Sequence, residues 1–111
     1  MAMFFEKKLE EVKAARKQAV YITDVLRLQI EHFEEKGIKF PFDAKAELKE
    51  AEKTINEFDR IYQDKSGSFK ERGERKVMIA GYKPIFDELN AKINGFVNEM
   101  HDCFIEQFPA K

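Results

Sequence analysis

Residues 19–33 read AVYITDVLRLQIEHF, and this stretch decides the fold of the chain. At about 100° per residue, its apolar side chains cover well over half of the circumference of a helix. One face, centred on Leu26, carries Phe5, Val12, Ala15, Ala19, Ile22, Leu26, Ile30 and Phe33, with Leu9 at its margin. This face predicts the core stripe of a long first helix, from about residue 4 to residue 36.

A second stripe lies about 120° around the same helix. It follows the 4-3-4-3-4 spacing of a coiled-coil seam and consists of Ala14, Gln18, Tyr21, Val25, Leu28 and His32. We call Tyr21, Val25, Leu28 and His32 the helix-one strip. Since one apolar arc suffices for a helix in a small bundle, another surface must cover the strip. We predict a second copy of the chain, giving a homodimer, or another protein; the alternative is the chain's own third helix or a folded-back loop.

Local signals place the remaining helices. Gly37 and Ile38 predict a Schellman end to the first helix, and Asp43 is a good N-cap for a second helix over residues 43–64. We predict a third helix over residues 74–108. A capping box of Ser68 with Glu71 would start it earlier, but Gly73 and the missing apolar periodicity before Val77 favour the later start.

The three helices predict one architecture. Pro84 should kink the third helix or divide it, because proline removes a backbone hydrogen bond. Short connections favour antiparallel neighbours. We therefore predict an all-α fold: an elongated, up-down-up antiparallel three-helix bundle with coiled-coil-like packing, in a single domain over residues 1–111 with the third helix kinked near Pro84.

The connection between the first two helices is unusually apolar for a loop. Loops normally stay polar because their backbone needs water, yet this one carries Phe40 and Phe42 beside Ile38. We predict that these side chains close one end of the bundle. Docking of Phe40 and Phe42 into a partner is the alternative.

Composition restricts the functional classes. Charged residues make up 37% of the chain and hydrophobic residues 43%, which is typical of a folded protein. The net charge of −1 argues against whole-surface attraction to nucleic acid or to a membrane. The single cysteine, Cys103, excludes an internal disulfide, and we expect a cytoplasmic protein without a membrane segment.

Two other groups of residues suggest alternative functions. A basic segment that surrounds one aromatic ring could contact phosphate or nucleic acid, and it consists of Lys65, Phe69, Lys70, Arg72, Arg75 and Lys76. Against this, such a segment is usually a solvated linker. His32 and His101 would lie at the same end of the bundle and could bind a metal, but their spacing matches no known ligand motif.

No pattern of catalytic residues is present in the sequence. Ser66 and Ser68 lie in a linker without a histidine nearby, and Cys103 adjoins the core stripe of the third helix. We therefore expect no enzymatic activity and no cofactor. The sequence predicts a protein-protein interaction module, acting as an adaptor, regulator or inhibitor, with the helix-one strip, Phe40 and Phe42 as its contact surface.

Overall fold

Four helical segments make up the chain in a computed structural model, which describes the backbone of residues 2–107 and the side chains of residues 6–107. They are α1 (Ala2–Lys36), α2 (Ala44–Gln63), α3 (Phe69–Ala80) and α4 (Tyr82–Gln107). No strand occurs in this described part, and the predicted all-α class is confirmed. The predicted end of the last helix, Phe108, lies outside the described residues.

The predicted core stripe of α1 is buried. Its described members are at most 8% exposed: Val12, Ala15, Ala19, Ile22, Leu26, Ile30 and Phe33. Leu9, at the margin of the stripe, is half-buried, and the side chain of Phe5 lies outside the described residues. The apolar spacing of the sequence therefore identified the inward face of α1 correctly.

A Schellman motif ends α1, as predicted. Gly37 has a φ of 67°, in the left-handed region that glycine adopts without strain. Its N–H donates to the carbonyl oxygen of Glu34 at 3.3 Å, and the N–H of Ile38 donates to that of Phe33 at 2.9 Å. The buried side chain of Ile38 joins the same core cluster as Phe33.

Asp43 caps α2, also as predicted. Its carboxylate accepts a hydrogen bond from the N–H of Ala46 at 3.2 Å. The apolar residues of α2 follow the 4-3-4-3-4 spacing of a seam, and this seam faces the core, with Ala51 and Phe58 buried and Tyr62 half-buried. The N-cap and the seam together explain why the predicted bounds of this helix differ from the observed ones by a single residue at each end.

Ion pairs show how α1 and α2 lie against each other. Arg16 of α1 binds Asp59, late in α2, and Glu34 near the end of α1 binds Lys45 near the start of α2. Residue numbers therefore rise along α1 while those of their partners fall along α2.

Hydrogen bonds from two amide side chains show the relative direction of α1 and α4. Asn90 donates to the carbonyl oxygen of Ala15 at 3.1 Å. Further along both helices, Gln29 donates to the carbonyl oxygen of Val97 at 3.0 Å. Residue numbers rise together along α1 and α4, and these two helices form the most extensive contact in the molecule.

The start of α3 differs from the prediction. The helix begins at Phe69 and not near Glu74, because Ser68 and Glu71 form the capping box. The Ser68 hydroxyl accepts from the N–H of Glu71 at 3.2 Å, and the Glu71 carboxylate accepts from the N–H of Ser68 at 3.5 Å. The hydrogen bonds of the capping box outweigh the cost of placing Gly73 inside the helix. The predicted start near Glu74 gave that glycine too much weight.

The predicted division of the third helix is present, but it falls at Gly81. This residue lies between α3 and α4 with a helical φ of −67°, and its N–H still bonds to the carbonyl oxygen of Val77 at 3.0 Å. Pro84 lies in the first turn of α4, where a missing N–H costs the helix no hydrogen bond. The break between α3 and α4 therefore precedes the proline.

The core consists of two clusters that follow each other along α1. One contains Val12 and Phe86, the other contains Leu26 and Met100, and Leu89 packs against both. The molecule measures 61 × 23 × 15 Å. In so thin a body, each helix has a wide face towards solvent.

Candidate interaction surface

The chain's own helices leave the helix-one strip largely uncovered. Tyr21 and Leu28 are each 63% exposed, His32 is exposed, and Val25 is half-buried. Leu26, next to Val25 on the same helix, is fully buried. The border between core and strip therefore runs along α1, and intramolecular cover does not account for Tyr21 and Leu28.

A groove lies beside the strip, with α4 as its second wall. Its volume is about 320 Å³. The ring centroid of His32 lies 5.3 Å from that of Phe104, so the two walls touch at one end. The groove is lined by Val25, Leu28, Gln29, His32 and Phe33 from α1 and by Met100, His101 and Phe104 from α4.

Sequence reasoning missed the α4 wall. The apolar spacing of the third helix places both Met100 and Phe104 in its core stripe, yet only Met100 is fully buried. Which α4 residues reach the strip depends on how far α4 is shifted along α1. That shift is fixed by contacts between helices, and no pattern within either helix encodes it.

Gln29 fixes the base of the groove. Its amide nitrogen donates to the carbonyl oxygen of Val97 and ties α1 to α4. The amide oxygen is buried and accepts no hydrogen bond from the part of the chain that the structure describes. Leaving a buried acceptor without a donor costs free energy, so the groove contains one polar atom that is not satisfied.

Phe40 and Phe42, the other residues of the predicted contact surface, pack onto the chain's own core. The Phe40 ring stacks on Phe33 with centroids 5.8 Å apart, and the Phe42 ring stacks on Phe96 at 4.6 Å. Both side chains are half-buried. These contacts fit the interpretation that the loop closes one end of the bundle.

The basic segment forms the rim of a second pocket. Of its six residues, Lys65, Phe69, Arg72, Arg75 and Lys76 line this pocket, and Lys70 does not. The pocket has a volume of about 450 Å³ and lies where α2 ends and α3 begins. The early start of α3 brings these side chains together, which a flexible linker would not do.

The two candidate ligands of the metal-binding alternative lie close to each other. His32 and His101 both line the α1–α4 groove. Among residues 6–107, however, no group of three or more His, Cys, Asp or Glu side chains is placed to hold a metal ion. Cys103 is half-buried and directs its sulfur to the carbonyl oxygen of Lys39, at 3.8 Å.

Comparison with models of known protein families, with curated proteins and with solved structures found no match to this chain. None of the helices, as far as the structure describes them, contains an apolar segment long enough to cross a bilayer.

Proposed function

We propose that the chain is a non-enzymatic interaction module, an adaptor, regulator or inhibitor, that forms a homodimer through the helix-one strip in the cytoplasm. The observation that supports this proposal is the exposure of Tyr21 and Leu28 in the middle of the longest helix. Fully burying such a side chain contributes about 1.5–3 kcal/mol. A symmetric dimer would bury both side chains in each of its two copies.

The total surface of the chain supports a partner. Its accessible surface is 7906 Å². A compact monomer of 13.1 kDa exposes about 6,400 Å² by the usual scaling with mass. The excess, about 1,500 Å², is larger than the roughly 800 Å² that each partner buries in a standard protein interface.

We also propose that the bundle is up-down-up with coiled-coil-like packing. The support is the order of the cross-helix contacts. The residue numbers of contacting side chains run in opposite directions along α1 and α2, and in the same direction along α1 and α4. In this arrangement α1 presents the helix-one strip on its outer side, beside α4.

Charge favours a second copy in antiparallel orientation. Lys17 and Glu31 flank the strip on the same side, two heptads apart. A two-fold axis near Asp24 would place Lys17 beside Glu31 of the second copy, and the reverse, giving two ion pairs. Asp24 would meet its own equivalent, and its charge is already compensated by Arg27 in the same chain.

The strip is tested by a double variant, Tyr21→Lys with Leu28→Lys. We expect wild-type chain to sediment as a dimer and the variant as a monomer with unchanged helix content, because both positions are exposed in the single chain. Val77→Lys is the matched control, since Val77 is 67% exposed and lies on α3. A monomeric wild type, or a variant that remains dimeric, would refute the strip as the interface.

The orientation is tested by charge reversal. Lys17→Glu and Glu31→Lys should each weaken the dimer, because each creates two like-charged pairs across the axis. The combined variant should restore the affinity. In a parallel pair, Lys17 of one chain would not reach Glu31 of the other, so neither variant would be rescued by combination. Sedimentation equilibrium at low salt measures all four proteins.

A further inference from the structure

We infer that the pocket between the end of α2 and the start of α3 binds a nucleoside phosphate, either free or as part of a single-stranded nucleic acid. This inference is independent of the proposed dimer, since the pocket residues belong to α2, α3 and their connection. We call it the α2–α3 pocket.

Positive charge dominates the α2–α3 pocket. Four cationic side chains line it, Lys65, Arg72, Arg75 and Lys76, against the single carboxylate of Asp64. The lining therefore carries a formal charge of +3 in a molecule whose net charge is −1. The sequence-based expectation against nucleic-acid binding used the net charge of the whole chain. That value does not describe the local charge of this pocket.

The one carboxylate in the lining already has its own partners. Its Oδ1 accepts from the N–H and hydroxyl of Ser66, at 2.9 and 2.6 Å, and its Oδ2 lies 3.3 Å from the Arg75 guanidinium. The Ser66 hydroxyl first, then the Ser66 N–H and Arg75, lower the pKa of Asp64. Asp64 is thus held as an anion that orients Arg75 at the pocket wall.

Two of the cations remain for a ligand. Arg75 also donates to the Asp64 carbonyl oxygen at 3.1 Å, and the Lys65 ammonium lies 5.3 Å from the Tyr62 ring centroid. Arg72 and Lys76, by contrast, form no ion pair with any of the described residues. They are one helical turn apart on α3, where neighbouring side chains can contact one anion together.

An aromatic ring stands at the rim. Phe69 is the first residue of α3 and is 86% exposed, the highest value among the exposed large apolar side chains. The capping box between Ser68 and Glu71 fixes the backbone beside it. An exposed ring next to a cluster of cations is the arrangement on which nucleic-acid bases stack, worth about 1–3 kcal/mol per base.

Gly73 keeps the pocket open. It lies inside α3 and lines the pocket, and a Cβ added there would meet no other atom within 4 Å. Glycine inside a helix costs about 0.5–1 kcal/mol relative to alanine. A larger side chain would therefore fit the helix and occupy the ligand space, which makes this position a direct probe of the site.

Binding is measured by fluorescence anisotropy with a labelled ten-nucleotide dT strand, and by calorimetry with AMP and with inorganic phosphate. We expect the strand or AMP to bind, and the affinity for the strand to fall with salt at a log–log slope of about −1.4 to −2.1, as for two or three phosphate contacts on a single strand. Phe69→Ala should weaken binding roughly tenfold. Arg72→Gln with Lys76→Gln should weaken it and flatten the salt slope.

Two further variants separate the pocket from general attraction to basic residues. Lys70→Gln removes a charge from the same segment outside the pocket and should leave the affinity unchanged. Gly73→Leu adds no charge, fills the pocket and should abolish binding. Binding of the strand alone identifies single-stranded nucleic acid as the source of the ligand, and equal binding of AMP identifies the free nucleotide. Circular dichroism confirms that each variant is folded.

Three outcomes would overturn the inference. The first is no binding of either the strand or AMP at low salt. The second is equal weakening by Lys70→Gln and Phe69→Ala, which would mean diffuse attraction. The third is phosphate binding as tightly as AMP without any effect of Phe69→Ala, which would mean that no base is recognised. None of these outcomes depends on the dimer, whose mass is measured separately.

Discussion

The guanidinium group of Arg16 on α1 binds both carboxylate oxygens of Asp59 on α2, through Nε at 2.6 Å and Nη2 at 2.8 Å. The two side chains are only 36% and 26% exposed. The α1–α2 pair Lys45–Glu34 is more exposed and uses a single ammonium group. A forked, partly shielded contact is stronger than a single exposed one, so Arg16 and Asp59 fix the position of α2 along α1.

Replacing Arg16 by Lys should lower the free energy of unfolding by about 1 kcal/mol, because lysine cannot form the forked contact. Lys45→Gln is the control and should change it by less than about 0.5 kcal/mol. Urea denaturation followed by circular dichroism measures both. Equal losses in the two variants would mean that the two-pronged geometry adds no stability beyond that of an ordinary charge pair.

Thr23→Val should stabilise the chain by up to about 1 kcal/mol. Thr23 is 1% exposed, and its buried hydroxyl has no hydrogen-bond partner among the described residues. Valine has nearly the same shape and removes the unsatisfied group. In Thr54→Val, the control, the hydroxyl that donates to the Glu50 carbonyl oxygen at 3.1 Å is removed, and no gain is expected. The melting temperatures of both variants decide the point.

Gly95→Ala should stabilise α4 by about 0.5–1 kcal/mol, because Gly95 lies inside the helix with open space where alanine would add its methyl group. Gly37→Ala should have the opposite sign, since the φ of 67° at the end of α1 strains any residue with a side chain. Thermal unfolding of the two variants gives the comparison. A loss of stability in Gly95→Ala would indicate that its open face meets another surface.

Phe86→Ala should cost about 3–5 kcal/mol, a large part of the stability of a small domain. Phe86 is fully buried, and its ring meets Phe58 edge-on with centroids 5.0 Å apart. Phe69→Ala removes the same side chain from an exposed site and should change the stability by less than about 0.5 kcal/mol. Urea titration distinguishes the two. A large loss in Phe69→Ala would show that this ring belongs to the fold.

Asp64 should contribute a pH-dependent part of the stability. Its pKa is lowered in the folded chain by Ser66 and Arg75, so its contribution is present above the ordinary value of 3.8 and is lost as the pH falls through the lower, folded value. The stability difference between wild type and Asp64→Asn should therefore be constant above about pH 5 and shrink below it. A difference that grows on acidification would contradict the sign of the pKa change.

Patterns within one segment were sufficient for most of the fold. The core stripe of α1, the Schellman motif at Gly37 and the Asp43 cap each depend on residues at most a few turns apart. The start of α3 was mispredicted because two local signals compete there. The hydrogen bonds of the Ser68–Glu71 box outweigh the glycine at position 73.

The two concave surfaces could not be derived in the same way. The α1–α4 groove needs the shift between two helices, which Asn90 and Gln29 fix through hydrogen bonds to carbonyl oxygens far away in sequence. The α2–α3 pocket needs Arg75 to reach back to Asp64. The sequence did indicate which residues are unusual at each place, namely Val25 and Leu28 in the groove and the basic segment around Phe69 in the pocket.

The longest dimension of the molecule, 61 Å, is about four times its shortest, 15 Å. Its radius of gyration of 17.6 Å also exceeds the value of about 13 Å for a compact domain of this length. A body of this shape hides less area per residue when it folds. The heat-capacity increment of unfolding and the denaturant m-value should therefore both be low for 111 residues.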